Sequence, residues 1–198
     1  MIALDTQEVA SDATTLASYT LVVIDTAVED YPFLVDGVVQ GATVLVLDRD
    51  RDGIEQTSQA ILDLGCNVTS LHLVAHGSPG CLHLGNTELS LQTIESYSLH
   101  LTSWFLPSWF YASQNSVIPT LYLYSCCAVS GEAGAELMHR LHDLTGARVA
   151  ASTVPLGAVD QVNNWELNAV IATRSTDAFT PQLPFLADTL ANYAGVLV

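Results

Sequence analysis

Apolar positions along the chain fall into short β-branched runs, each followed by a stretch in which they recur at helical intervals. SYTLVVIDTA is the first such run and closes on Asp25; in VEDYPFLVDGVVQ, which follows, Val28, Phe33, Leu34 and Val38 are spaced as on one helix face. The alternation repeats with ATVLVLD as a strand and DGIEQTSQAILDLGC as a helix, Asp52 serving as its N-cap and Gly65 as its stop. NVTSLHLVAHG reads as a third strand and IPTLYLYSC as a fourth. GEAGAELMHRLHDLTG reads as a helix that ends on glycine, and ARVAAST as a fifth strand. The long segment between the third and fourth strands, CLHLGNTELSLQTIESYSLHLTSWFLPSWFYASQNS, predicts a small hairpin, a helix and an apolar flap.

Strands that are apolar on both faces and alternate with helices predict an α/β fold: a central, mostly parallel sheet with helices on both faces, because each crossover lays a helix across one side. The length of 198 residues suits a single domain over 1–198 with its core in about 19–175. The tail, 176–198, is less regular and is expected to pack along an edge of the core or to lead into a downstream region.

Charge narrows the partners. Against 21 acidic residues stand five basic ones, all arginine, for a formal net charge of −16. Such a field repels nucleic acid and anionic lipid. No apolar run is long enough to cross a bilayer, so membrane insertion is not expected, and the first residues show no signal peptide. Cys66, Cys81, Cys126 and Cys127 lack the spacing of a disulfide framework, and there is no CxxC pair.

In a parallel sheet, ligands gather outside the carboxyl ends of the strands, where His76 and Cys126 both fall. A cysteine nucleophile needs a base and an oxyanion site, which His76 and the backbone N–H of Gly77 can supply. The competing reading is a buried structural thiol and a hydrogen-bonded strand-end histidine. Cys127 is the alternative nucleophile: if both cysteines are extended they point to opposite sides, so only one faces the site. Other groupings carry less. His72 and His76, four apart on a strand, lie roughly 13 Å from each other and cannot share an ion with Cys81 and His83. His139 and His142 fit an amphipathic helix surface. Asp48, Asp50, Asp52 and Gly53 imitate a calcium loop, but Gln59 stands where a bidentate glutamate is needed. No metal or cofactor is therefore expected. Asp25 is either a turn residue or the acidic wall of a substrate pocket.

LHLVAHGSPGCLHLGN, followed by LYLYSCCAVSGEAGAELMHRLHDLTGARVAAST, NWEL and a closing YAGVL, resembles the family described as domain of unknown function 4347. The likeness runs from about Tyr19 to the end and includes VVIDTAVEDYPFLVDGV and DGIEQTSQAI. It implies an N-terminal module of very large bacterial, particularly cyanobacterial, surface or secreted proteins, hence an extracellular or cell-surface setting. The family in turn is distantly similar to the caspase-hemoglobinase fold, a three-layer sandwich whose peptidases place His-Gly after one strand and the nucleophilic cysteine after the next.

That likeness implies His76 as general base and acid, Gly77 as oxyanion donor, and Cys126, five residues before Gly131, as nucleophile. It also implies Asp25 and Ser125 on the substrate side. Asp25 matches an acid that lines a basic-residue pocket in metacaspase-like relatives, pointing to cleavage after Arg or Lys. Ser125 stands where the family usually has glycine, and the aromatic insertion lies where it can cover the cleft. Trp165 and Glu166 belong to the family motif, with packing and a surface cap as their plainer roles. The expected function is a cysteine endopeptidase acting on a peptide or protein, its own parent polypeptide included, to process or release an exported product. The alternatives are a non-catalytic interaction or sorting module that keeps the fold, and another thiol-dependent acyl transfer.

Overall fold

The structure, a computed structural model, describes residues 19–65, 68–106, 118–125, 127–159, 162–172 and 179–197. Its centre is a six-stranded sheet. Strands β1 (Tyr19–Asp25), β2 (Thr43–Leu47), β3 (Val68–Val74), β7 (Thr120–Tyr124) and β8 (Arg148–Ala151) run parallel, and β11 (Ala169–Ile171) joins antiparallel at one edge, in the order β11-β8-β7-β3-β1-β2. The fold is thus α/β with a mostly parallel sheet, as the alternating pattern predicts. The antiparallel β11 is an addition: AVI is too short to stand out as a strand in the sequence, and pairing with β8 creates it.

Register assigns every apolar run two jobs. Leu21, Val23, Leu71, Leu73, Leu121 and Leu123 point to one face, whereas Val22, Ile24, Val74, Tyr122 and Tyr124 point to the other. Leu21 through Ile24 are completely buried. Each such side chain contributes roughly 1.5–3 kcal/mol of transfer free energy, so the continuous apolar run is what a strand covered on both faces requires.

On the first face pack α2 (Gly53–Leu64) and α4 (Gly131–Thr145) through Ile54, Ile61, Leu137 and Leu141, and α3 (Ser98–Ser103) through Leu101. The sequence marks for these helices hold. Asp52 caps α2, its side chain accepting from the N–H groups of Ile54 and Glu55, and Gly65 and Gly146 end α2 and α4 in left-handed conformations. On the second face lie α1 (Tyr31–Asp36), through Leu34, and the tail, through Phe185, Tyr193 and Leu197. The tail therefore crosses a face of the sheet and contributes α5 (Ala187–Asn192) and β12 (Val196–Leu197); β12 joins β9 (Leu156–Val159) and β10 (Val162–Asn164) in a three-stranded antiparallel sheet. Trp165 packs here against Phe185 and Tyr193 and donates its indole N–H to the Leu190 carbonyl, while Glu166 is exposed.

The segment after β3 forms the expected hairpin and helix. β4 (Gly77–Ser78), β5 (Cys81–Leu84) and β6 (Thr87–Ser90) make a small antiparallel sheet, followed by a 3₁₀ turn over Ile94–Tyr97 and by α3. Trp104 and Phe105, at the start of the expected flap, are core residues, Trp104 donating its indole N–H to Ser58 Oγ at 2.8 Å. The remainder of the flap, 107–117, lies outside the described residues. Among the described residues no helix is long and apolar enough to cross a membrane.

Candidate functional site

The chain leaves β1 toward one edge through α1 on the second face, then returns through α2 on the first face to β3, on the other side of β1. The connections after β1 and β3 diverge, and in open α/β sheets it is outside the carboxyl ends at such a switch point that ligands bind. Asp25 ends β1, and His76 follows β3 by two residues.

β3 and β7 are direct neighbours, paired from Ser70↔Thr120 to Val74↔Tyr124, and the ladder runs one step further as Ala75 N–H donates to the Tyr124 carbonyl at 3.2 Å. His76-Gly77 and the segment after β7 therefore emerge side by side. Gly77 packs against Ser125 Oγ, and a β carbon on it would sit 2.7 Å from the Cys81 carbonyl oxygen and 2.9 Å from the Ala128 β carbon, so only glycine fits. Three residues on, Gly80 N–H donates to the Ala128 carbonyl at 2.8 Å and ties the two segments together.

The His76 ring is half-buried and its Nε2 lies 3.1 Å from the Ala27 carbonyl oxygen. A carbonyl only accepts, so Nε2 carries the proton and the neutral ring has its lone pair on Nδ1. In the β4–β5 ladder, His83 N–H donates to the His76 carbonyl at 3.0 Å, which makes Gly77↔Leu82 the non-hydrogen-bonded pair. The Gly77 N–H consequently points away from β5.

Cys126 lies outside the described residues, as does Cys66; the residues flanking Cys126 do not. β7 ends at Tyr124, and Cys127 sits half-buried in a turn whose Ser130 N–H donates to the Cys127 carbonyl at 3.1 Å. The up-and-down alternation expected of two extended cysteines does not apply, because Cys127 is past the strand. Ser125 is fully buried beneath Gly77 and lines the floor of this junction, not an accessible wall. Among the described residues, two buried hydroxyl oxygens lack a hydrogen-bond partner, Ser125 Oγ and Thr26 Oγ1. They belong to the segments that follow β7 and β1, the strands flanking β3.

Asp25 is also buried. Its Oδ1 accepts Ala27 N–H at 2.7 Å and its Oδ2 accepts Gly85 N–H, from the β5–β6 turn, at 2.6 Å. Both oxygens thus serve backbone amides, which is the turn role and not the open acidic wall. The Ala27 carbonyl escapes sequence reasoning because any residue supplies one. The Asx turn that presents it was legible in an aspartate at a strand end, which commonly bonds the N–H two residues on.

The remaining candidates separate from this edge. His72 is buried on the second face, its Nδ1 3.1 Å from Tyr124 Oη and its ring stacked on Tyr122 at 4.2 Å. Burial pushes its pKa down to about 3. Cys81 is a buried thiol whose pKa is raised by burial and by the nearby Glu88 carboxylate. In the calcium-like loop, Asp48 Oδ1 accepts Asp50 N–H and Asp52 caps α2, so these acids organise a βα loop. Among the described residues no group of three His, Cys, Asp or Glu side chains is placed to hold a metal ion.

No curated protein matches the chain. A family model described as domain of unknown function, DUF4347, matches residues 21–197. The match runs from within β1 to the end of β12, nearly the whole chain and every segment that meets at the His76 edge, and the chain belongs to this family.

Proposed function

We propose that this domain is a caspase-like cysteine endopeptidase in which Cys126 attacks a peptide carbonyl and His76 moves the proton. The observation that carries the reading is the convergence at one sheet edge of His76-Gly77 with the residues on either side of Cys126, the ring being held by the Ala27 carbonyl with its lone pair on Nδ1. His-Gly after one strand and cysteine after its parallel neighbour is also the order found in caspase-hemoglobinase peptidases.

In this scheme Nδ1 of His76 takes the Cys126 thiol proton as sulfur bonds to the carbonyl carbon. The negative charge that develops on the oxygen is met by the Gly77 N–H, which the hairpin ladder leaves directed away from β5. Collapse breaks the C–N bond; Nδ1 returns its proton to the leaving amine, and water then releases the acyl group by the same path in reverse. The domain's biological task is the processing or release of a larger exported polypeptide, its own parent chain being the nearest substrate. The net charge of −16 favours a cationic segment over nucleic acid or anionic lipid.

The test is a diverse peptide library offered to wild type and to Cys126→Ala, with iodoacetamide labelling of wild type and His76→Ala at neutral pH alongside. Cutting lost with Cys126→Ala, and labelling of Cys126 slowed by His76→Ala, is the expected result. No cutting by wild type, with slow and equal labelling of the two proteins, overturns the peptidase and leaves the interaction or sorting module. Transfer to amine or ester partners without peptide cleavage would indicate a different acyl transfer.

A further inference from the structure

Asp25 is 3% exposed, and its carboxylate holds two loops at once. Oδ1 accepts Ala27 N–H and Oδ2 accepts Gly85 N–H. The Asp25 main-chain carbonyl accepts Val28 N–H at 3.1 Å, so side chain and backbone of the same residue close the turn over 25–28. Ala27, whose amide is fixed in this way, is also the residue whose carbonyl receives His76 Nε2. Gly85, the other amide, has φ +61° in the hairpin turn, which is tied to the β2–α2 loop by Asn86 N–H donating to the Arg51 carbonyl at 3.0 Å.

We propose that Asp25 is a positioning residue for His76: by fixing the Asp25–Val28 turn it aims the Ala27 carbonyl at Nε2 and so selects the tautomer with its lone pair on Nδ1. This deepens the peptidase reading and rests on it for the catalytic consequence, whereas the tautomer itself does not. It also replaces the acidic specificity wall expected from metacaspase-like relatives. A wall would need carboxylate lone pairs open to an incoming cation, and those of Asp25 are closed off by burial and engaged by two amides. Orientation of an imidazole by a hydrogen bond on its far nitrogen is how tautomers are generally fixed.

The experiment is a long-range proton–nitrogen spectrum of His76 in protein labelled with ¹⁵N-histidine, for wild type, Asp25→Ala and Asp25→Asn. Wild type is expected to show the Nε2–H form. Asp25→Ala is expected to show a mixture of tautomers, and Asp25→Asn to keep the wild-type form, because Oδ1 of asparagine still accepts the Ala27 amide. On a cleaved peptide, Asp25→Ala is expected to lower kcat by about tenfold or more with KM within about twofold, and selectivity between basic and neutral residues before the scissile bond is expected to be unchanged.

Folded Asp25→Ala with the wild-type tautomer overturns the proposal. Should that variant fail to fold, loss of the Nε2–H form in Asp25→Asn, or loss of a basic preference in it, does so instead. Absence of cutting by wild type sinks the peptidase but leaves the tautomer result standing.

Discussion

His76 Nε2 lies 3.1 Å from the carbonyl oxygen of Ala27, a residue 49 positions earlier in the chain. This one hydrogen bond joins the ends of β3 and β1 and decides which ring nitrogen carries a lone pair. The consequences of the surrounding geometry are open to measurement.

The packing around Gly77 leaves no room for a side chain. Gly77→Ala would place a β carbon against Ser125 Oγ, the Cys81 carbonyl and the Ala128 β carbon, two of these belonging to the β7–α4 segment. The expected cost is about 1–3 kcal/mol, as for overpacking elsewhere, and under the proposed peptidase function peptide cleavage is expected to fall by more than the stability change explains. Urea denaturation and peptidase assays on the same preparation check both. A variant as stable and active as wild type would mean that the two segments are not held at this separation.

His72 makes the fold sensitive to acid. Its folded pKa is about 3, pushed down by burial, against an ordinary value of 6.5 when unfolded. Between these values the unfolded chain binds a proton that the native protein excludes. The contribution is therefore intact above pH 6.5 and is lost as pH falls toward 3, at up to roughly 1.4 kcal/mol per pH unit. Urea midpoints of wild type and His72→Phe across pH 4 to 7 measure this. The variant loses the Tyr124 hydrogen bond, so its stability is lower at pH 7, but its slope with pH is smaller. Parallel slopes would show that His72 does not titrate in this way.

Asp52 ties the start of α2 to the 3₁₀ turn that holds Tyr97. It caps α2 and accepts a hydrogen bond from Tyr97 Oη at 2.6 Å. Burial pushes its carboxyl pKa upward, but the Tyr97 hydroxyl and the Glu55 amide outweigh this and hold it below the ordinary value of 3.8. Its stabilisation is present above that value and is lost as pH drops through the depressed one. Asp52→Ala should cost about 1–2 kcal/mol at pH 7, and Asp52→Asn, which can still cap, considerably less. Chemical denaturation with the helix signal as readout ranks the three proteins. Equal loss in both variants would point to charge and not to capping.

Cys81 provides an internal control for thiol reactivity. Burial and Glu88 raise its pKa, so little thiolate exists at neutral pH and the sulfur is shielded. Mass-spectrometric counting should find Cys81 alkylated at least about tenfold more slowly in native protein than in urea, with Glu88→Gln modestly accelerating the native reaction. Rapid native labelling of Cys81 would be incompatible with its burial.

Most of the architecture was legible in the order of residues, because strand and helix periods are local properties. Runs such as LVVID and TLYLY read by their shortness and β-branched or aromatic content as strands covered on both faces, and Asp52, Gly65 and Gly146 mark helix ends through their own side-chain chemistry or conformational freedom. That His76-Gly77 and the segment holding Ser125 and Cys127 each lie just past a strand end was legible too, whereas their adjacency rests on the pairing of β3 with β7. The strand β11 was not legible, as three residues carry too little pattern and depend on β8 for their shape. Nor was the course of the tail, whose Phe185 and Tyr193 find their partners across the sheet.

By itself, then, the sequence determined an α/β domain with a parallel sheet and a histidine and a cysteine at strand ends, since hydrophobic period and turn chemistry act over a few residues. Tertiary structure alone decided that Asp25 also serves the amide of Gly85, that Ser125 Oγ is buried with no hydrogen-bond partner among the described residues, and that a main-chain carbonyl grips His76. Those outcomes depend on distances between residues about 50 to 60 positions apart, which are set by register and packing and which no local pattern encodes.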